Sequence, residues 1–226
     1  MRVFSLVKAD IRFQYRYGFY FLYLLFSILY VGVLFALPAA WRTDAALLMI
    51  YTDPAAMGLF FMGAIVLFEK SEHVLDSIAV SPAQPWEYVT GKLVSIGLIS
   101  MLVALAIGIP AGVIVHPARF LSGVFLCSCM FSSLGLVIAC KVSSLNGFIL
   151  ATVPAEIVVV VPAVIWLFWD AGRIAMLHPG VAGLAFLTRE SGAAALLILL
   201  VWTAAFVLMA VRSAKRMLRS LGGVKL

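Results

Sequence analysis

Charge is scarce in this 226-residue sequence: Asp, Glu, Lys and Arg make up 12% of it, where soluble domains carry about 25%. With 65% hydrophobic residues beside it, that scarcity excludes a soluble globular domain and leaves an integral membrane protein. Histidine and cysteine are also few. His73, His116 and His178 fall in three separate loops with no HExxH or other paired ligand spacing, so the sequence offers no metal site. Cys127, Cys129 and Cys140 share one apolar run, where an i, i+2 pair points to different helix faces and no histidine is near. They read as packing residues. A phosphate-binding GxxxxGK[ST] loop is absent too, since Gly91-Lys92 lacks the preceding spacing and is followed by Leu93. The chain itself therefore reads as binding no cofactor, and if ATP drives the protein, another chain must bind it. The net charge of +6 comes with no recognition motif, which excludes nucleic acid as a partner.

What the sequence has in quantity is apolar length. Uncharged runs occupy 17–41, 54–68, 93–118, 120–140 and 191–211, and 142–169 is broken only by Glu156. A spanning helix needs about 20 apolar residues, so the expected fold is all-α with six transmembrane helices, at about 19–41, 54–71, 92–115, 120–140, 147–169 and 192–212. The run from 54 is short, and reaches spanning length if Asp53 caps it, Pro54 takes the first position and the last turn extends to about Glu72. The first run, at about 25 residues, exceeds a signal-peptide core of about 7 to 15 and reads as a retained helix. No repeat, low-complexity segment or long linker divides the chain, so 1–226 is read as a single transmembrane domain.

Six crossings place twelve of the sixteen basic residues on the side of both termini, with Arg42, Arg119, Arg173 and Arg189 opposite. The positive-inside rule then makes both termini cytoplasmic. Lys8, Arg12 and Arg16 recur every four residues, with Val3, Phe4, Val7, Ile11 and Tyr15 on another face. That pattern suits an amphipathic helix in the headgroup layer. Arg212, Lys215, Arg216 and Arg219 share a face after the last span, where anionic lipids are the expected partners.

Two features remain. Glu156, bracketed by Pro154 and Pro162, is the one carboxylate clearly at membrane depth. It either lines a transport pathway and meets a cationic or zwitterionic cargo, or makes a structural hydrogen bond. Between spans two and three, the stretch 69–92 holds four of the ten acidic residues. Leu75, Ile78 and Ala79 give it one apolar face, as in a short amphipathic helix. The next helix starts either at Ser81-Pro82, with Gln84 completing a capping box, or at Gln84-Pro85. A mere reconnection needs only a few residues, so the stretch reads as a contact surface.

Glu69-Lys70, Leu75-Asp76, Ile78, Ser81-Pro82, Glu87-Tyr88 and Gly91-Lys92 resemble the E-R-E-x-G-T-L-E-x-L-x-x-[TS]-P…E-Y-x-x-G-K pattern of ABC-2 type transporter permeases. His73-Val74 stands where that family has Gly-Thr. The six-span plan resembles the family along the whole chain, and 10–20, DIRFQYRYGFY, is similar to a bacterial subgroup labelled fluoroquinolone-export permeases. The resemblance implies a non-enzymatic permease in the bacterial inner membrane, exporting a small amphiphilic or drug-like compound or a lipid, as in multidrug resistance. It implies a dimer, either homodimer or heterodimer, driven by separate ATPase subunits. The interfacial helix with Lys8, Arg12 and Arg16 and a coupling helix with Glu69, Glu72, His73, Leu75, Asp76, Ile78, Ser81 and Pro82 would contact the ATPase. Leu75 and Ile78 would seat in a groove of that subunit, with Glu69, Glu72 and Asp76 at its rim. Residues 170–192 would form short outer-side helices before the last span. A heme-export-type permease is the nearest alternative. An intramembrane enzyme would need a second group beside Glu156, and a scaffold would need no ATPase.

Overall fold

The computed structural model describes residues 2–169, 172–188 and 192–221, without the side chains of 54–57 and Arg173. Arg189 lies outside the described residues. Among those described there is no strand, and six helical segments are long and apolar enough to cross a membrane. The chain is an all-α, multi-pass membrane protein. Helix α1 (Arg2–Arg16) turns at Gly18, whose φ of 76° suits glycine, into α2 (Phe19–Ala36), the first span. The next crossings are α6 (Pro85–Ala111), α7 (Pro117–Lys141), α8 (Leu145–Phe168) and α10 (Ala193–Leu221).

Span two corrects the sequence expectation. It runs 33 residues, Ala39–Ser71, not 54–71, through α3 (Arg42–Ala56), a π turn (Met57–Phe61) and α4 (Met62–Ser71). Asp53 caps nothing: it lies inside the helix and is 1% exposed. Reading the charges at Arg42, Asp44 and Asp53 as the edge of the bilayer cut the span in half. Only the first two lie near its end, where the Arg42 guanidinium donates to the Leu37 and Phe35 carbonyls at 3.1 and 3.3 Å, satisfying acceptors that the end of α2 leaves free.

Helix ends follow local chemistry. Of the two possible starts for α6, Gln84-Pro85 is used: Pro85 fills the first position and the Glu87 carboxylate accepts the Gln84 backbone N–H at 2.7 Å. Ser81 instead ends the preceding short helix α5 (Val74–Val80). Lys70 closes α7 from another span, donating to the Ala139 and Val142 carbonyls at 2.7 Å each. This contact puts the end of span two, the Lys141 turn and α5 at one end of the bundle.

Packing divides the spans into two groups. Spans two, three and four have 64%, 56% and 72% of their apolar windows buried, against 22% for spans one, five and six. The first three form the centre, and the others turn broad apolar faces outward. The region before the last span forms short helices, a 3-10 turn (Arg173–Leu177) and α9 (Pro179–Leu187). Helix α9 is buried from Pro179 to Phe186. It packs so closely on α8 that a Cβ at Gly180 would lie 1.8 Å from the Val159 carbonyl oxygen. Pro162 leaves the Val158 carbonyl without its helical donor, and the His178 ring bonds that backbone instead. Burial pushes the His178 pKa down, against the influence of that bond.

Candidate functional site

The densest polar chemistry lies where α1 crosses the starts of spans two and three. Asp10 on α1 is 5% exposed, Glu69 at the end of α4 5% and Lys92 on α6 3%. The Lys92 ammonium donates to Asp10 and, at 2.5 Å, to Glu69. The Tyr88 hydroxyl donates to the other Glu69 oxygen at 2.8 Å. Gln14 donates to Asp10 at 2.7 Å and to Ser95 at 3.1 Å, and Ser95 donates in turn to Asp10. Five donor contacts thus meet two carboxylates around one ammonium, the arrangement that makes burial of ions tolerable.

The backbone makes this approach possible. Leu6 lies against Gly91, where an added Cβ would sit 3.1 Å from the Leu6 Cβ. Arg2 donates to the Pro82 carbonyl at 3.1 Å, so α1 is tied at both ends of the connecting stretch. A cavity of about 180 Å³ opens beside the cluster, between Leu6, Phe13, Val74, Ile78 and Lys92. At the opposite end of the bundle a wider cleft of about 630 Å³ is lined by Thr43, Asp44, Trp166, Phe168, Trp169 and Leu187.

The expected coupling residues divide into two sets. Glu69 is not at a rim; it is interior and committed to Lys92 and Tyr88. Leu75 is 1% exposed and belongs to one core cluster with Ala210, Ala214, Met217 and Leu218 of α10, and Ile78 packs against that cluster. Helix α5 packs on α10 and on α4, and Ile78 also lines the cavity beside Lys92. A seven-residue helix with one apolar stripe must bury it somewhere, and α10 receives part of it. Glu72, His73 and Pro82 are exposed, Asp76 and Ser81 half-buried. His73 takes the left-handed conformation, φ 56°, at the position where the resembling pattern has glycine, and its ring pairs with Asp76 at 2.8 Å. Beside them Val80 and Trp86 are 82% and 52% exposed. Neither residue stood out in the sequence.

On α1, Lys8, Arg12 and Arg16 are exposed, together with Phe4 and Tyr15. The face it buries carries Asp10 and Gln14. That i, i+4 polar pair on a basic and apolar helix was the available signal for the cluster. Glu156 is half-buried, on a span whose neighbouring Ile157 and Val158 are exposed, and it is not the one carboxylate at depth, since Asp53 lies deeper in the protein.

The described residues form a multi-pass helical bundle with a buried charged cluster beside the short helix α5. The family model for fluoroquinolones export permease proteins matches residues 1–219, and the chain belongs to that family. It is 26% identical over 165 residues to the proteins named fluoroquinolones export permease in Mycobacterium tuberculosis strains CDC 1551/Oshkosh and ATCC 25618/H37Rv, covering 73% of this chain and 70% of each relative.

Proposed function

We propose that the chain is the membrane-spanning permease subunit of an ATP-binding-cassette exporter, moving a small amphiphilic or drug-like compound outward and driven by a separate ATPase subunit that carries ATP and Mg. Family membership over residues 1–219 supports export. The observation that carries the coupling is the Asp10–Lys92–Glu69 lock, which joins α1 to spans two and three directly beneath α5. A push on α5 reaches both spans through packed and charge-paired contacts. Because Leu75 is occupied by α10, the ATPase meets the other face of α5: Glu72, His73, Asp76 and Val80, with Trp86 beside them.

In this reading α1, α5, the Lys141 turn and the end of α10 are cytoplasmic, as their basic residues favour, in a bacterial inner membrane. The outward apolar faces of spans one, five and six meet lipid and a second permease subunit, with Glu156 on the side of the shared pathway. Fluoroquinolones, named for the mycobacterial relatives, are the first cargo to try. The test is to tag the chain, purify it from its native membrane, identify the subunits that accompany it and measure ATP hydrolysis with fluoroquinolones and other amphiphiles. An ATP-binding subunit whose hydrolysis these compounds stimulate is expected. Export that persists with no ATP-binding subunit attached would overturn the reading.

A further inference from the structure

Asp53 presents a different problem from the lock. It lies near the middle of span two, is 1% exposed, and neither carboxyl oxygen has a hydrogen-bond partner. Four residues later the helix widens into the π turn Met57–Phe61, a distortion frequent at functional sites. Among the described residues no charged side chain forms an ion pair or hydrogen bond with Asp53, and the titratable groups within electrostatic reach are Tyr23 and Tyr30 of α2.

Three occupants could satisfy a buried carboxyl. A metal cation needs several oxygen ligands, and no group of three His, Cys, Asp or Glu gathers anywhere among the described residues. An amine of a cargo needs a cavity, and neither the cleft beside Asp44 nor the one beside Lys92 includes Asp53. A proton needs no space. An unpaired carboxylate removed from water takes one up in preference to staying charged.

Helix α2 supplies a route. Tyr20, Tyr23, Ser27 and Tyr30 follow i, i+3, i+7, i+10 spacing and so share one helix face. Tyr23 is 4% and Ser27 8% exposed, while Phe21, Leu24, Leu25 and Ile28 on the other side are open. Tyr23 lies within electrostatic reach of both Asp53 and Asp10, and Tyr20 of Asp10. Its hydroxyl, like Gln14 Oε1 at the lock, has no protein partner. The Ser27 hydroxyl donates to the Tyr23 carbonyl at 2.8 Å, and waters between the hydroxyls would complete a route along this face.

We propose that Asp53 is a proton-binding site in the middle of the membrane, exchanging its proton with water on the α1 side along the hydroxyls of α2. Burial and missing partners carry this assignment, whatever cargo the chain moves. Infrared spectroscopy of the purified full-length protein in lipid tests it. At neutral pH a carboxylic acid C=O band is expected that moves on 13C-labelling of aspartate but not of glutamate. It should vanish in Asp53→Asn and persist in Asp10→Asn. If Asp53→Asn fails to fold, the labelled band of the unaltered protein and its persistence in Asp10→Asn together assign it, since Asp10 is the other buried aspartate among the described residues. No aspartic acid band at neutral pH, or one that survives Asp53→Asn, overturns the site. In Tyr23→Phe the band should remain while its exchange into D2O slows several-fold; exchange at the unaltered rate overturns the route.

Discussion

Span two carries two buried carboxyl groups built on opposite terms. At its end Glu69 meets an ammonium and a phenol, and through Lys92 it is tied to α1. At its middle Asp53 meets no donor, beside a helix turn that is itself irregular. The comparison shows what partners do for a buried charge. The paired one joins three elements and resists change, because every route to separating them strands an ion. The unpaired one fixes nothing in place and keeps free the capacity to gain and lose a proton. The same span thus contains a fastener and, by our proposal, an exchange site.

The strongest way to break the comparison is to make the fastener resemble the exchange site. Lys92→Met leaves Asp10 and Glu69 buried together without their counter-charge, and stranding part of a buried ion cluster costs about 3 to 5 kcal/mol. The purified variant is expected to unfold at a much lower temperature or to fail to accumulate. Replacing all three charges, as Asp10→Asn, Glu69→Gln and Lys92→Met together, should recover most of that loss, since a neutral set of similar volume is often as stable as the ions it replaces. A triple variant no more stable than Lys92→Met would mean that the side chains matter for shape and not for charge.

A smaller effect is expected from disturbing the other region. Gly135 of α7 lies under the π turn, where an added Cβ would be 2.3 Å from the Leu59 carbonyl oxygen. Gly135→Ala must push that backbone away, and overpacking of this kind costs about 1 to 3 kcal/mol. Thermal unfolding should register the loss, and the aspartic acid band should shift because the turn beside Asp53 moves. Loss of stability with no change in that band would separate the turn from the carboxyl.

Why the two regions differed in legibility can be argued residue by residue. The motif around Glu87-Tyr88 and Gly91-Lys92 was visible in the sequence, yet its physical meaning was not. Glu87 caps, Tyr88 bonds Glu69, Gly91 lets α1 approach, and Lys92 neutralises two acids contributed by distant segments. Such pairing depends on tertiary contact and leaves no periodic trace. The six spans were legible because apolar length is a local property, and the exception proves instructive. Asp53 interrupts an otherwise acceptable run from Ala45 onward, and a charge that reads as a boundary there marks an interior site. Leu75 and Ile78 were recognised as an apolar face, but periodicity says only that a face is buried, never against what. Here it is α10 together with α4.

That last correction yields the prediction with the smallest effect on stability and the most direct bearing on function. If the apolar face of α5 is fixed to α10, then changing Leu75 damages the permease itself and cannot isolate its contact with an ATPase. The informative positions are on the opposite side: Val80, 82% exposed, and Asp76, whose partner His73 is itself at the surface. Substitution at an exposed site such as Val80 usually changes stability by no more than about 0.5 kcal/mol, and half-buried Asp76 gives up one surface pair with His73 worth about 0 to 1 kcal/mol, so Val80→Asp with Asp76→Lys should leave expression and unfolding temperature near those of the parent. It removes an exposed apolar contact and reverses a charge on the surface proposed to receive the ATPase. Because coupling is a difference in contact free energy between states, the variant should lose ATPase association and export together while the lock at Lys92 and the band of Asp53 stay unchanged. Full export by this variant, with the ATPase still attached, would remove the exposed face of α5 from the coupling path and leave α1 as the element that carries the stroke to Lys92.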